Sequence, residues 1–196
     1  MSMRGKNGFT MVEVLVSIFV LSLGVIGVAG MQLNAMRVSQ QSSYQTVALQ
    51  LASEMADKMR SNDTQMKLAD SLNPFLAVNY NAATDGAPTA PNKICYSSAA
   101  DCNAEELAKF DIYELETRIK DVLPGGRITI CRDTTPWDTS AGAFKWACTA
   151  SLSAVDNASM VVKIGWQAKN PDGTLVRDAD KAFPPGVALT VEPYTK

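Results

Sequence analysis

Histidine is absent from the 196 residues, which removes the commonest general base and the commonest metal ligand. Charge of either sign is also in short supply. The net charge is −2, and beyond the first residues the cations are scattered, so there is no electrostatic footprint for nucleic acid. No G-x-S-x-G, P-loop or dinucleotide fingerprint occurs; Gly125-Gly126 follows a helical pattern and reads as a stop signal, not a phosphate cradle. C-x-x-C is missing, so the four cysteines make a poor zinc site. Asp172, Asp178 and Asp180 surround a loop without the spacing of a calcium loop and read as solvated acids. Internal repeats and low-complexity tracts are lacking too. The reading is of a non-enzyme, with no catalytic residue, no cofactor and no metal.

What is present is one long apolar run. Phe9 to Met31 carries a single charge, Glu13, near its start. As a helix it reaches ~35 Å, enough for a ~30 Å hydrocarbon core. Ahead of it, Met1 to Gly8 holds Arg4 and Lys6 and no acid, which predicts a cytoplasmic N-terminus. A carboxylate in such a span costs ~2.5–3.5 kcal/mol at the bilayer centre and less near the interface. Three readings account for it. Thr10 with Glu13 fits a capping box, and an acid in a first turn is favoured by the helix dipole. Gly27-Val28-Ala29 fits a signal-peptide cut, although a Glu inside the apolar region and an overlong run argue against it. In the third, a peptidase cuts after Gly8, and the new amine of Phe9 on a neighbouring subunit pairs with Glu13, since a buried charge is tolerated when paired. The capping role and the assembly role are compatible.

Beyond Met31 the helical pattern continues in a different character. Tyr44, Ala48, Leu51, Met55 and Met59 share one helix face, with Gln45, Gln50, Ser53, Glu54, Asp57 and Lys58 opposite. A helix from about Thr10 to Arg60 runs ~75 Å, more than a membrane needs. Its first half belongs in lipid or a bundle, and its second half packs on a domain. Gly24, Gly27 and Gly30 permit close helix contact or, at ~1 kcal/mol each relative to Ala, a stretch that unwinds on assembly.

A modest soluble domain follows from Ser61. Asn79 to Asn92 reads as an exposed loop with Asp85-Gly86, Pro88 and Pro91. Asn103 caps a helix running to Val122, with Leu107, Phe110, Leu115 and Ile119 toward the core, and Leu123-Pro124-Gly125-Gly126 stops it. Four strands are expected at Arg127–Arg132, Ala143–Ala150, Met160–Gln167 and Val187–Glu192, with a turn at Asn170-Pro171-Asp172-Gly173 between the last two. Sequential short strands favour an antiparallel sheet, on whose face the long helix can lie. The cysteines suggest an oxidising compartment such as a periplasm. Of three connectivities, the local pairs Cys95–Cys102 and Cys131–Cys148 are favoured, the second as a cross-link between neighbouring strands. The fold class is therefore α+β.

Gly8-Phe9-Thr10-Met11-Val12-Glu13-Val14-Leu15-Val16-Ser17 resembles the leader junction of type IV pilins and of type II secretion pseudopilins. Ala48 to Asn62, and Leu123-Pro124-Gly125-Gly126 ahead of the sheet, resemble the PilV family of minor pilins most closely. The resemblance is specific over about Gly8 to Asn62 and patchier beyond. It implies a type IV pilin-like fold, cleavage by the prepilin peptidase between Gly8 and Phe9, N-methylation of Phe9 and an intersubunit role for Glu13. It implies a leader at 1–8, a membrane and assembly half of the helix at 9–31, an amphipathic half at 32–62 and a periplasmic domain at 63–196. The implied role is priming of pilus assembly within the tip complex, in support of twitching motility and adhesion. The implied partners are other minor pilins, the major pilin, the inner-membrane assembly platform and a tip adhesin; the location is the inner membrane first and the pilus afterwards. A pseudopilin of a type II secretion tip, or an anchored periplasmic binding domain that never polymerises, are the alternatives. Two departures from major pilins stand out: glycines occupy the mid-helix stretch where those carry a proline, and a long segment follows Cys148, so a receptor-binding disulfide loop is not carried over.

Overall fold

Helix α1, Met11–Ser61, is the longest element of the computed structural model, which describes residues 8–96, 100–149, 158–170, 173–177 and 183–192. The chain divides into two units, Met1–Gln40 and Gln41–Lys196. In the first, the apolar side chains of α1 face outward all round; Phe19, Leu21 and Ile26 are 65%, 68% and 70% exposed. Helical backbone satisfies every interior N–H and C=O by itself, so such a stretch needs lipid or other helices only for its side chains.

The second unit begins with the rest of α1 and continues as α2 (Asp63–Met66), a 3-10 turn (Pro74–Ala77), β1 (Asn79–Asn81), α3 (Ala104–Val122), β2 (Arg127–Arg132), β3 (Trp137–Asp138), β4 (Ala143–Phe144), β5 (Met160–Gly165) and β6 (Val187–Val191). The main sheet has the order β1-β2-β5-β6, with every pairing antiparallel. On α1, Ala48, Leu51, Ala52, Met55, Ala56 and Met59 are buried. They join Ala108, Leu115 and Ile119 of α3 and Ile128, Ile130, Val162, Ile164 and Val191 of the sheet in one core. The alanines repeat every four residues, so a smooth ridge of α1 is presented for close packing.

Asn103 begins α3 with both halves of a capping box: its side chain accepts from the Glu106 N–H, and the Glu106 side chain accepts from the Asn103 N–H. Ile119, Leu115 and Ala108 face the core, but Leu107 is exposed, contrary to expectation. The inward row passes through Ala108 and Asp111 instead. Phe110 is buried apart from the main cluster, edge-on to Tyr96 with ring centroids 4.7 Å apart. At the helix end Gly125 takes a positive φ of 58°, and the Gly126 N–H returns to the Leu123 carbonyl at 3.0 Å. A left-handed residue there suits glycine.

Three further expectations are corrected. Asn79 to Asn92 is not all loop: Asn79–Asn81 pairs with β2, and Tyr80 is buried opposite Ile128. One buried aromatic between two asparagines carries no apolar run, so alternation could not reveal it. The strand expected at Ala143–Ala150 is only Ala143–Phe144, paired with Trp137–Asp138 in a separate two-stranded sheet. After Phe144 the backbone turns its Lys145 and Ala147 carbonyls toward the Lys163 ammonium, at 2.9 and 2.8 Å, and leaves the strand. Cys148 therefore lies in a loop and not on a strand beside Cys131, whose strand neighbour is Val161. Beyond these, β5 ends at Gly165 and β6 at Val191. The Asn170 turn closes through Gly173 N–H to the Asn170 carbonyl at 2.9 Å, while Pro171 and Asp172 lie outside the described residues.

That 133–149 segment covers the second face of β5, all six residues of which are buried. Gly165 permits the approach: a Cβ there would stand 2.7 Å from the Trp146 ring. The indole N–H of Trp146 donates to the Phe183 carbonyl at 2.5 Å, and the Arg127 guanidinium stacks 4.3 Å above its ring.

Candidate assembly site on the N-terminal helix

Gly8 and Phe9 precede α1 outside any helix or strand and are exposed, Phe9 to 89%. Thr10 and Glu13 then start the helix through a reciprocal set of bonds. The Thr10 N–H donates to the Glu13 carboxylate at 2.8 Å, and the Thr10 hydroxyl donates to the same oxygen at 3.0 Å. The Glu13 N–H donates back to the Thr10 hydroxyl at 3.3 Å. This is the capping box that the spacing allows, and it absorbs two helix-terminal donors. Arg4 and Lys6 lie outside the described residues.

Ser17 and Ser22 return their hydroxyls to the Glu13 and Ile18 carbonyls at 2.6 and 2.7 Å, so neither spends a free donor on the apolar surface. A Cβ added at Gly24, Gly27 or Gly30 would meet nothing within 4 Å. The helix is unbroken across all three. Nothing in the described chain fills the space they leave, so a second helix could approach the backbone closely there. Among the described residues this is the one helix long and apolar enough to cross a membrane.

The amphipathic half is tied to α3 by charge as well as by its core face. Glu54 and Lys58, expected on the solvent side, instead sit at the helix–helix seam. Lys58 pairs with Glu54 at 3.4 Å, Asp111 at 3.2 Å and Glu114 at 2.5 Å, and Glu54 pairs with Arg118 at 2.5 Å. Burial pushes the Asp111 carboxyl above its ordinary range despite Lys58. Burial works in the opposite direction on the Lys58 ammonium, but Glu114 and Asp111 more than offset it and hold it high.

The structure joins Cys95 to Cys102 and Cys131 to Cys148, each with Cα atoms 6.1 Å apart. The second bridge fastens the loop over β5 to β2. It lies beside the most enclosed ion pair among the described residues, Lys163 with Asp133, whose side chains are 0% and 1% exposed. Sequence reasoning missed this pair. Its one signal was a lysine inside the apolar run Met160 to Gly165, which a strand exposed on one face would have put in water.

Among the described residues no group of three His, Cys, Asp or Glu side chains converges as a metal site; Asp172, Asp178 and Asp180 lie outside them. The site's chemistry is that of packing and charge pairing. Residues 3–29 match the family described as the prokaryotic N-terminal methylation motif. No curated protein and no solved structure matches the chain. A prepilin-type methylation motif, opening a long apolar helix in a chain whose second unit is α+β, supports the type IV pilin and pseudopilin family.

Proposed function

We propose that this chain is a minor pilin that helps to prime type IV pilus assembly and resides in the tip complex. The observation that carries the reading is the start of α1: a carboxylate one turn into an apolar helix, four residues after an exposed Phe9, within a matched methylation motif. In this reading the prepilin peptidase cuts between Gly8 and Phe9, removing the 1–8 leader, and the new Phe9 amine is methylated. Residues 9–31 then pack among the helices of other subunits, where Glu13 meets a neighbour's Phe9 amine. Residues 32–62 pass into the periplasmic domain at 63–196, which meets other minor pilins, the major pilin and a tip adhesin. Before assembly the chain is a single-pass inner-membrane protein with a cytoplasmic N-terminus; afterwards it is at the cell surface, in support of twitching and adhesion. Two disulfides suit a periplasmic domain. The PilV resemblance of Ala48 to Asn62 supports the minor-pilin assignment over a pseudopilin of type II secretion.

Mass spectrometry of the protein from membranes tests the processing step. The mature chain should begin at N-methylated Phe9, and Gly8→Val should leave the full-length species. A start near Gly30 would restore the signal-peptide reading. Deletion that abolishes secretion while leaving pili intact would favour the pseudopilin.

A further inference from the structure

A cleft of about 780 Å³ opens on one face of α3, within the second unit. Glu105, Lys109, Ile112, Tyr113 and Glu116 of α3 form one side, a row spaced to share a helix face. The Ser71–Ala77 and Thr89–Lys93 segments form the others and bring Leu72, Pro74 and Pro91 to its rim. Leu72 is 69% exposed there, a large apolar side chain left in water.

Charge is unevenly settled inside this cleft. Lys109 is taken by Glu105 at 2.5 Å, and Lys93 by Glu106 at 3.1 Å and by the Asp101 carbonyl. Glu116 is partly buried and has no hydrogen bond or ion pair among the described residues. We propose that the cleft docks a segment of another protein that presents one lysine or arginine, its charge against Glu116 and its flanking residues on Leu72, Pro74 and Pro91. The stem of such a side chain lies well on Ile112 and the Tyr113 ring, and long cationic side chains cover apolar surface in this way. The volume lies in the upper range of ligand sites and exceeds what a single ammonium fills, which favours a peptide over a small free amine.

The electrostatics agree. Burial, with the Asp85 charge added, raises the Glu116 carboxyl to about 6, so a cation would relieve an existing penalty. The titratable groups that line the cleft with Glu116 are Lys93 from the 89–93 segment and Glu105, Glu106, Lys109 and Tyr113 from α3. Asp85 and Tyr80 of the β1 turn couple to it electrostatically, and Lys120 stands one turn further along α3. The Ser71–Ala77 segment contributes none. This inference is independent of the pilus reading.

The test uses the full chain in detergent micelles and follows the Ile112 methyl resonance. Two pools of acetylated pentapeptide amides serve as probes, random except for a central lysine in one and norleucine in the other. The lysine pool should shift Ile112 saturably, and the norleucine pool should bind at least tenfold more weakly. Glu116→Gln should weaken the lysine pool about tenfold at pH 7.5 while Val162, deep in the core, keeps its shift. Lowering the pH from 7.5 to 5.0 should weaken binding to the wild type by roughly tenfold, the loss expected when a carboxylate of pKa near 6 is protonated. Equal binding of the two pools, unchanged binding by Glu116→Gln, or no saturable shift from the lysine pool would each overturn the proposal. Butylammonium binding as tightly as the lysine pool would overturn the protein-borne partner.

Discussion

The Lys163 ammonium donates to the Asp133 carboxylate at 2.5 Å, with both side chains closed off from solvent. Its other two protons go to the carbonyls of Lys145 and Ala147. Asp133 also accepts from the Thr135 N–H at 2.9 Å and the Thr149 hydroxyl at 3.3 Å. Every donor of the ammonium is used, and the groups it satisfies all belong to the segment that covers β5. Lys163→Met should cost about 3–5 kcal/mol in urea unfolding, because it strands a buried carboxylate and leaves two part-buried carbonyls without their donor. Lys163→Met combined with Asp133→Leu should recover part of that loss, since removing both charges leaves none uncompensated. A single-variant cost below about 1 kcal/mol would mean that water reaches the pair.

The two disulfides close loops of different reach, with sequence separations of 7 and 17. Chain entropy assigns about 2.5 kcal/mol to the Cys95–Cys102 bridge and about 3 kcal/mol to Cys131–Cys148. Replacing both cysteines of the longer bridge by Ala should therefore lower the urea midpoint more than replacing those of the shorter. Peptide mapping without reduction checks the pairing. A fragment joining Cys102 to Cys131 would show it to be wrong.

Long-period patterns made much of this architecture legible in advance. The stripe through Ala48, Leu51, Met55 and Met59 has the helical spacing of a buried face, and the structure buries it. Asn103 and Leu123-Pro124-Gly125-Gly126 mark the ends of α3 because a cap and a left-handed turn have local chemistry. What escaped was whatever depends on a distant neighbour. Tyr80 forms a strand only because Ile128 pairs with it. Leu107 is exposed because the buried row of α3 runs through Ala108 and Asp111 instead. Lys58 leaves the solvent face because Asp111 and Glu114 come to meet it. At the candidate assembly site the capping pair was legible from the Thr10–Glu13 spacing, whereas the proposed partner of the Glu13 charge involves a second chain.

Glu116 predicts an unusual direction of pH dependence. Its carboxyl titrates at about 6 in the folded chain against an ordinary 4.5. The folded state therefore resists its ionisation, and stability should rise as pH falls from above 6 toward 4.5. Glu116→Gln removes that penalty. The substitution should stabilise by about 1 kcal/mol at pH 7.5, less than the shift alone would give because the side chain keeps part of its water, and by almost nothing at pH 4.5. Thermal unfolding of both proteins at the two pH values measures it; an equal effect at both would point to packing instead.

Glu13 separates local capping from assembly. Its carboxylate accepts from both the N–H and the hydroxyl of Thr10, so the cap is made within one chain. The core of the second unit begins at Ala48, and loss of Glu13 should leave that core intact. Glu13→Ala makes α1 more apolar and no harder to insert. The variant should still be cleaved, reach the membrane and form both disulfides. Assembly should fall nonetheless, because the proposed partner of a neighbour's Phe9 amine is gone; the protein would stay in the membrane fraction instead of appearing in sheared pili. Thr10→Ala isolates the other role, since it weakens the cap by about 1 kcal/mol and keeps the charge. Glu13→Gln does the reverse, keeping a side chain that can close the box while removing the charge. Immunoblots of sheared and membrane fractions should place Gln with Ala, both poorly assembled, and Thr10→Ala close to wild type. Should Glu13→Gln assemble as well as wild type, intersubunit pairing is refuted and the capping box accounts for the acid by itself.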